Sequence, residues 1–196
     1  AARKLHDSFG EILKDYPKKG EPSPTLSVGI AIGHTRDPLE DLRNYGKDTE
    51  KDAKEPDRNG LAIHLHTRSG GDPIRIREQW REKDKRGLDE RMEKWVKMYL
   101  DDTFPDKAAY ELRQLAEVYR GWEHPPDLVH IQKDVRRLLV RKRPGEGTSA
   151  IQEQDIKYLE EEAVSYETIC RLAKELVMAR RIAESQQQAK GKTLPG

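Results

Sequence analysis

The chain has 196 residues, of which 37 are Lys or Arg and 36 are Asp or Glu, so its formal net charge is +1 and any nucleic-acid binding must come from a local patch. Only 34% of the residues are hydrophobic, and the mean hydropathy is −0.98. No apolar run reaches the roughly 20 residues of a membrane-spanning helix, and no signal peptide is recognisable, so we expect a cytoplasmic protein. The single cysteine excludes an intramolecular disulfide framework and a multi-cysteine zinc site.

The first 67 residues predict helix, strand, helix and strand in that order. Five apolar residues on one helical face indicate the first helix: Ala2, Leu5, Phe9, Ile12 and Leu13. Because the chain starts inside this helix and not at a Met, we interpret it as a piece of a longer protein. Residues 25–33 alternate large apolar residues with small ones, so the second face of this strand is expected to be closely covered or approached by a ligand.

A second helix and a second strand complete this α/β half-domain. Pro38 suits the first position of a helix, and apolar spacing carries that helix to about Glu55. A turn at residues 57–60 ends it. Residues 61–67 then alternate again and predict the second strand.

From about Trp80 onward the sequence pattern is helical. Apolar stripes at helical spacing occur in three segments, residues 88–99, 108–119 and 128–139. A last long helix is predicted for residues 151–185. These segments indicate a bundle of four to five helices.

The domain organisation follows from this change of pattern. A boundary near residues 68–82 separates a predicted domain of residues 1–75 from a helical bundle of residues 82–185. Residues 186–196 are polar, lack periodicity and are predicted to form a flexible tail. The predicted fold class is therefore α+β, a mixed domain followed by an all-α helical bundle.

Charges are segregated within the helical part. Residues 133–143, the basic stretch, carry six cations against Asp134 alone, and residues 153–167, the acidic stretch, carry six acids against Lys157 alone. Arginines in the basic stretch could contact phosphates, and the acidic stretch could meet a basic partner. Both stretches could equally be solvated helix faces with ion pairs inside the bundle.

Three short sequence patterns within the first 67 residues are compatible with ligand binding. His34 and Arg36 precede a helix N-terminus, where the helix dipole favours anions. Lys54 and Arg58 lie at a helix-to-strand corner and could reach a phosphate, although cations also favour a helix C-terminus without any ligand. His64 and His66, on one side of a strand, have a spacing that can chelate a metal, but no third ligand is near in sequence and ordinary strand-face histidines are the favoured interpretation.

The order of motifs gives a more specific interpretation. The motifs are ARKLHDSFGEI, LSVGIAIGHTRDPL, an Ala-Lys…Arg-Asn pattern and GLAIHLHTRSG. In this order they resemble a GGDEF-like palm, and more narrowly the second palm of the large cyclase-like subunit of type III CRISPR complexes, in the Cmr (type III-B) branch. The helical remainder, with YELRQLAEVY and RLAKELVMARRIAE, resembles the C-terminal helical domain of that subunit. The resemblance implies a partial ferredoxin-like palm followed by a helical bundle.

The resemblance also implies a nucleotide chemistry. The parent subunit would bind ATP with a divalent metal, Mg or Mn, and make cyclic oligoadenylate on target RNA recognition. The family pattern places Lys54 and Arg58 at the nucleotide phosphates and His34 nearby, with Asp57 standing where the family has Gly. This chain lacks the family's Gly-Gly-Asp-Asp motif. We therefore expect the chain alone to be inactive, with the metal-binding aspartates upstream of Ala1.

Partners are implied in the same way. They are the remainder of the large subunit, the small helical subunit, the backbone subunits, the guide RNA and the target RNA. Four residues would contact RNA phosphates: Arg136, Arg137, Arg141 and Lys142. Two alternatives remain open, a non-catalytic scaffold or RNA-contact module of the same kind of complex with a degenerate cyclase, and an unrelated α/β-plus-helix regulator that carries these motifs by chance.

Overall fold

The computed structural model describes residues 1–16, 23–67, 71–80, 86–105, 107–120, 127–140 and 151–191. The elements in chain order are α1 (Ala2–Ile12), β1 (Val28–Ile32), α2 (Leu39–Lys54), β2 (Gly60–Leu65), β3 (Ile74–Gln79), α3 (Leu88–Leu100), α4 (Ala108–Arg120), α5 (Leu128–Val140), α6 (Glu153–Glu162) and α7 (Tyr166–Ala189). The fold is α+β, as predicted: a small mixed sheet near the N-terminus precedes a region whose described elements are helical.

Two compact units make up the chain, Ala1–Arg91 and Met92–Gly196. The division falls inside α3, whereas the sequence predicted a boundary near residues 68–82. The predicted domain limits of 1–75 and 82–185 stay predictions. None of the described helices is long and apolar enough to cross a membrane.

The sheet of the first unit has the strand order β1-β2-β3. Strand β1 runs parallel to β2, and β2 runs antiparallel to β3. All six residues of the central strand β2 are buried. The sequence analysis did not predict β3, because Ile74 and Ile76 are its only apolar residues and a two-residue alternation is too short a signal.

Helix α2 covers the face of the sheet that carries small residues. Gly29 and Ala31 of β1 pair with Ala62 and His64 of β2, so the four share one face. A Cβ atom at Gly29 would lie 2.6 Å from the backbone nitrogen of Glu50 in α2. The close cover predicted for this face is therefore provided by the helix itself, and glycine is required where the two backbones approach.

The second unit is built from packed helices. Helix α4 packs against α7 and α5, and α5 packs against α6. Its buried side chains are mainly apolar, with Leu112, Ile131, Val135, Leu139, Leu159, Ile169, Leu172 and Leu176 among them. One charged residue, Glu175, is fully buried in this core, where it accepts a hydrogen bond from Trp95 Nε1 at 3.0 Å.

The single long helix predicted for residues 151–185 is wrong, because the chain forms α6 and α7 with a break between them. Ser165 caps α7: its Oγ accepts from the Thr168 N–H at 3.3 Å, and Thr168 Oγ1 accepts from the Ser165 N–H at 2.7 Å. This reciprocal capping begins a new helix. Helix α7 continues to Ala189, so the first four residues of the predicted tail are helical.

Candidate functional site

The corner between α2 and β2 carries two of the predicted site residues. Lys54 is the last residue of α2, and Arg58 follows four positions later; both are exposed. Lys54 Nζ lies 2.5 Å from Glu50 Oε1, one helical turn back, and this hydrogen bond lowers the pKa of Glu50. In the part of the chain that the structure describes, Arg58 has no ion-pair partner. The corner therefore presents two surface cations.

The backbone of this corner has an unusual conformation. Arg58 and Asn59 have φ values of 57° and 46°, both in the left-handed region. The Arg58 N–H donates to the Lys54 carbonyl at 2.7 Å. A Cβ atom at Gly60 would lie 2.4 Å from the Ala53 carbonyl oxygen, so a side chain at position 60 does not fit. The turn is thus closed tightly against the end of α2.

A third cation, Arg77 of β3, lies beneath the corner. Its Nε donates to the Asp52 carbonyl at 3.2 Å, and a Cβ atom at Gly60 would lie 3.3 Å from its Nη2. That Nη2 is buried, with no hydrogen-bond partner among the described residues. The C-terminal carbonyls of a helix carry partial negative charge, so Arg77 anchors the end of α2. Sequence analysis missed Arg77 because it missed β3.

Helix α1 and Trp80 also contact the corner, through Asn59. His6 Nε2 lies 3.0 Å from Asn59 Oδ1, and the imidazole packs on the Trp80 ring at 4.6 Å between centroids. The Trp80 N–H donates to the Asn59 carbonyl at 2.9 Å, and its indole N–H donates to the Leu26 carbonyl at 3.0 Å. The Arg3 guanidinium lies 4.8 Å from the Trp80 ring centroid. No role for His6 or Trp80 was predicted from the sequence.

His34 lies at the opposite end of α2 from this corner. Its N–H donates to Asp37 Oδ2 at 2.8 Å, and its Nδ1 accepts from the Arg36 N–H at 3.1 Å, in the turn that enters α2. Helix α2 has 16 residues and spans about 24 Å at 1.5 Å per residue. The structure therefore brings Lys54 and Arg58 together but does not bring His34 to them, because the helix connecting two parallel strands runs back along the sheet.

The paired histidines are structural groups of the strand face. His64 is 1% exposed, and its Nε2 lies 2.8 Å from Asp52 Oδ2. His66 stacks on Tyr45 with 3.6 Å between ring centroids. Burial lowers the pKa of His66. Within the described ranges, no three His, Cys, Asp or Glu residues are grouped so that they could hold a metal. Asp52 thus holds His64, and Tyr45 holds His66, at this face of the sheet.

In the second unit, the basic stretch is partly neutralised by the acidic stretch. Arg136 Nη2 lies 2.5 Å from Glu153 Oε1, and its Nη1 lies 3.2 Å from Glu160 Oε2. The Arg137 side chain is 73% exposed, with Asp134 at 3.7 Å. The other two predicted RNA contacts, residues 141 and 142, lie outside the described residues. The ion pairs inside the bundle, one of the two interpretations of these charges, are thus present at Arg136.

Comparison with known proteins gives one match. Residues 1–62 match the family model described as Cas10/Cmr2, second palm domain. No curated protein and no solved structure matches the chain. The matched segment contains α1, β1 and α2 and ends inside β2, so it includes Lys54, Arg58 and His34. This part of the first unit is therefore similar to the second palm domain of Cas10/Cmr2.

Proposed function

We propose that this chain is part of the large, Cas10-type subunit of a type III CRISPR complex, of the Cmr (type III-B) branch, in which the first unit supplies phosphate contacts to an ATP site. The proposed parent subunit joins ATP into cyclic oligoadenylate on target RNA recognition. The observation that carries the proposal is the α2–β2 corner, where Lys54 and Arg58 meet within the segment similar to the second palm.

The two cations of the corner suit a triphosphate. Arginine offers a planar fork of donors that can hold two phosphate oxygens, and lysine adds a compact point charge. The Lys54–Glu50 pair is exposed on both sides. Such pairs contribute about 0–1 kcal/mol, so Lys54 can exchange Glu50 for a phosphate at little cost. These residues bind and orient the nucleotide.

The chemistry of the proposed parent also needs a divalent metal, Mg or Mn, which neutralises the charge that develops on the phosphates. Among the described residues no group of potential ligands is large enough to hold it. The ligands would therefore come from elsewhere in the parent subunit. In this proposal the described residues contribute phosphate contacts, and the chain alone is expected to be inactive because it lacks the Gly-Gly-Asp-Asp motif.

The exposed apolar side chains of α1 support a partner for the first unit. Leu5 and Ile12 are 59% and 78% exposed, and no residue of α1 is fully buried. Apolar residues repeated on one helical face normally pack against another element. We assign the remainder of the large subunit as that element.

For the second unit we propose docking to the small helical subunit and the backbone subunits, close to the duplex of guide and target RNA. Arg137 is the most exposed predicted phosphate contact in the described part of the chain, whereas Arg136 would have to exchange Glu153 and Glu160 for phosphate. The two residues therefore contribute unequally to RNA binding.

The test of the nucleotide role replaces Lys54 and Arg58 by Ala in the full-length subunit, assembled with guide RNA. With ATP and target RNA, we expect oligoadenylate synthesis to fall by at least about tenfold for each lost charged contact, with target RNA binding unchanged. Arg43→Ala with Lys47→Ala, two exposed cations of the same helix, is the matched control. Unchanged synthesis would refute the nucleotide role and leave the scaffold alternative.

A further inference from the structure

His6 of α1 contacts the residue that follows Arg58. Its Nε2 lies 3.0 Å from Asn59 Oδ1, and since an amide oxygen can only accept, the imidazole N–H donates. The same imidazole packs on Trp80, whose backbone N–H donates to the Asn59 carbonyl. His6 and Trp80 together therefore fix both the side chain and the backbone of Asn59.

Arg58 needs this support because of its backbone conformation. Its φ of 57° is left-handed, a conformation that side chains other than Asn and Asp rarely adopt. Asn59, with φ 46°, continues it. Two consecutive left-handed residues persist where surrounding contacts fix them. For this turn, the contacts are the hydrogen bond from the Arg58 N–H to the Lys54 carbonyl and the anchoring of Asn59.

We propose that His6 is a positioning residue for Arg58: by holding Asn59, it fixes the direction in which the Arg58 side chain leaves the corner and so keeps the guanidinium at the nucleotide triphosphate. The inference rests on the proposed function, since it requires Arg58 to bind phosphate. It gives α1 a role in nucleotide affinity that the sequence motifs do not assign to it.

A merely structural His6 would behave differently. If His6 only anchored α1, its loss would lower the thermal stability of the subunit and leave the affinity for ATP unchanged. If His6 positions Arg58, its loss weakens a contact made equally in the ground state and the transition state. Such a loss raises KM and leaves kcat unchanged. KM and kcat measured separately, together with thermal stability, therefore distinguish the two roles.

The experiment measures oligoadenylate synthesis by the full-length subunit in its assembled complex, with ATP varied. His6→Ala removes the donor, and Asn59→Gly removes the acceptor while keeping a residue that tolerates left-handed backbone. We expect each variant to raise the KM for ATP about threefold to tenfold, the effect of one neutral hydrogen bond, with kcat unchanged. Because both remove the same bond, the double variant should have the KM of a single variant.

Two further variants serve as rescue and control. His6→Gln retains an N–H donor and should return the KM towards the wild-type value. His130→Ala removes an exposed histidine of α5 that pairs with Asp127, and it should leave the KM unchanged. A KM that rises as much in His6→Gln as in His6→Ala would contradict a role through the Asn59 hydrogen bond.

Arg58→Ala distinguishes failure of the inference from failure of the proposed function. If Arg58→Ala leaves the KM for ATP unchanged, the proposed function fails and the positioning role fails with it. If Arg58→Ala raises the KM but His6→Ala and Asn59→Gly do not, the function stands and the positioning role is overturned. Independent, multiplying effects of His6→Ala and Asn59→Gly would also overturn it, because the two residues would then act separately.

Discussion

Two groups of cations, one in each unit, differ in how they are paired with acids. At the α2–β2 corner of the first unit, Lys54 has only an exposed partner one turn back, and Arg58 has no ion-pair partner in the described part of the chain. In the second unit, Arg136 is paired with Glu153 and Glu160 of the acidic stretch. Pairing with acids from a neighbouring helix is therefore present at Arg136 and absent at Arg58 among the described residues.

Folding explains this difference. A run of like charge lies on one helix face, and a neighbouring helix of opposite charge can pack beside it and neutralise it, as α6 does for α5. Arg58 lies in a short turn and has no such helix face beside it, whereas Lys54, at the end of α2, pairs with Glu50 of its own helix. Charge segregation in sequence therefore predicts pairing between helices at least as well as it predicts an external partner.

Breaking the buried charge of the second unit should have the largest effect. Glu175 accepts from Trp95 Nε1 at 3.0 Å, and its other oxygen lies 3.4 Å from Arg171 Nε. Glu175→Ala leaves the Trp95 indole N–H without its acceptor and empties a fully buried site, whereas Arg171 keeps its pair with Glu162, so we expect the free energy of unfolding to fall by about 2–4 kcal/mol. Urea denaturation measures it, with Lys174→Ala, an exposed neighbour on α7, as control. A loss below about 1 kcal/mol would show that the second unit does not depend on internal charge pairing.

In the first unit, close backbone packing holds α2 against β1. Gly29→Ala would place a Cβ 2.6 Å from the Glu50 backbone nitrogen, and forcing α2 away from the sheet should cost about 1–3 kcal/mol. Gly46→Ala is the matched control, because a Cβ there meets nothing within 4 Å. That change, within a helix, should stabilise by about 0.5–1 kcal/mol. Equal effects of the two changes would contradict the close approach of α2 to β1.

Arg136 and Arg137 are neighbours in α5, and they test whether a paired and an exposed cation differ in their effect on RNA binding. In the assembled complex, Arg137→Gln should weaken target RNA binding and reduce the slope of log affinity against log salt by about one, without changing stability. Arg136→Gln should change RNA affinity less and lower the free energy of unfolding by at most about 1 kcal/mol, because its pairs with Glu153 and Glu160 are partly exposed. Salt-dependent binding and urea denaturation distinguish the two. An identical pattern for both variants would show that ion pairing does not decide RNA contact.

Much of the first unit could be predicted from sequence, because α1, β1, α2 and β2 each carry a clear apolar period. Strand β3 could not, since four of its six residues are Arg, Glu or Gln and only two are apolar. Arg77 was missed with it. The break before α7 was missed because Thr168, rather than the usual Glu or Gln, completes the capping box.

The sequence predicts the relative positions only of those candidate-site residues that are close together along the chain. Lys54 and Arg58 are four residues apart, so a single turn brings them together. His34 precedes Lys54 by 20 positions, and its place depends on the length and direction of α2. His6 and Trp80 contact Asn59 from elements that are distant in sequence, and no short sequence pattern predicts such contacts.

The smallest expected effect is a pH dependence at His66, which stacks on Tyr45 of α2. Burial lowers the pKa of His66 below the ordinary 6.5, and the neighbouring His64 and Arg75 lower it further. The unfolded chain then binds a proton more readily than the folded one. The contribution of neutral His66 is complete above about pH 6.5 and is lost as the pH falls through the folded pKa.

Thermal unfolding between about pH 8 and pH 5 measures this contribution. His66→Phe keeps an aromatic ring for the stack on Tyr45 and removes the titration. The melting temperature of the wild type should therefore drop relative to that of the variant as the pH falls, with the two curves parallel at high pH. A constant difference at every pH would show that packing against α2 does not exclude the charged imidazole.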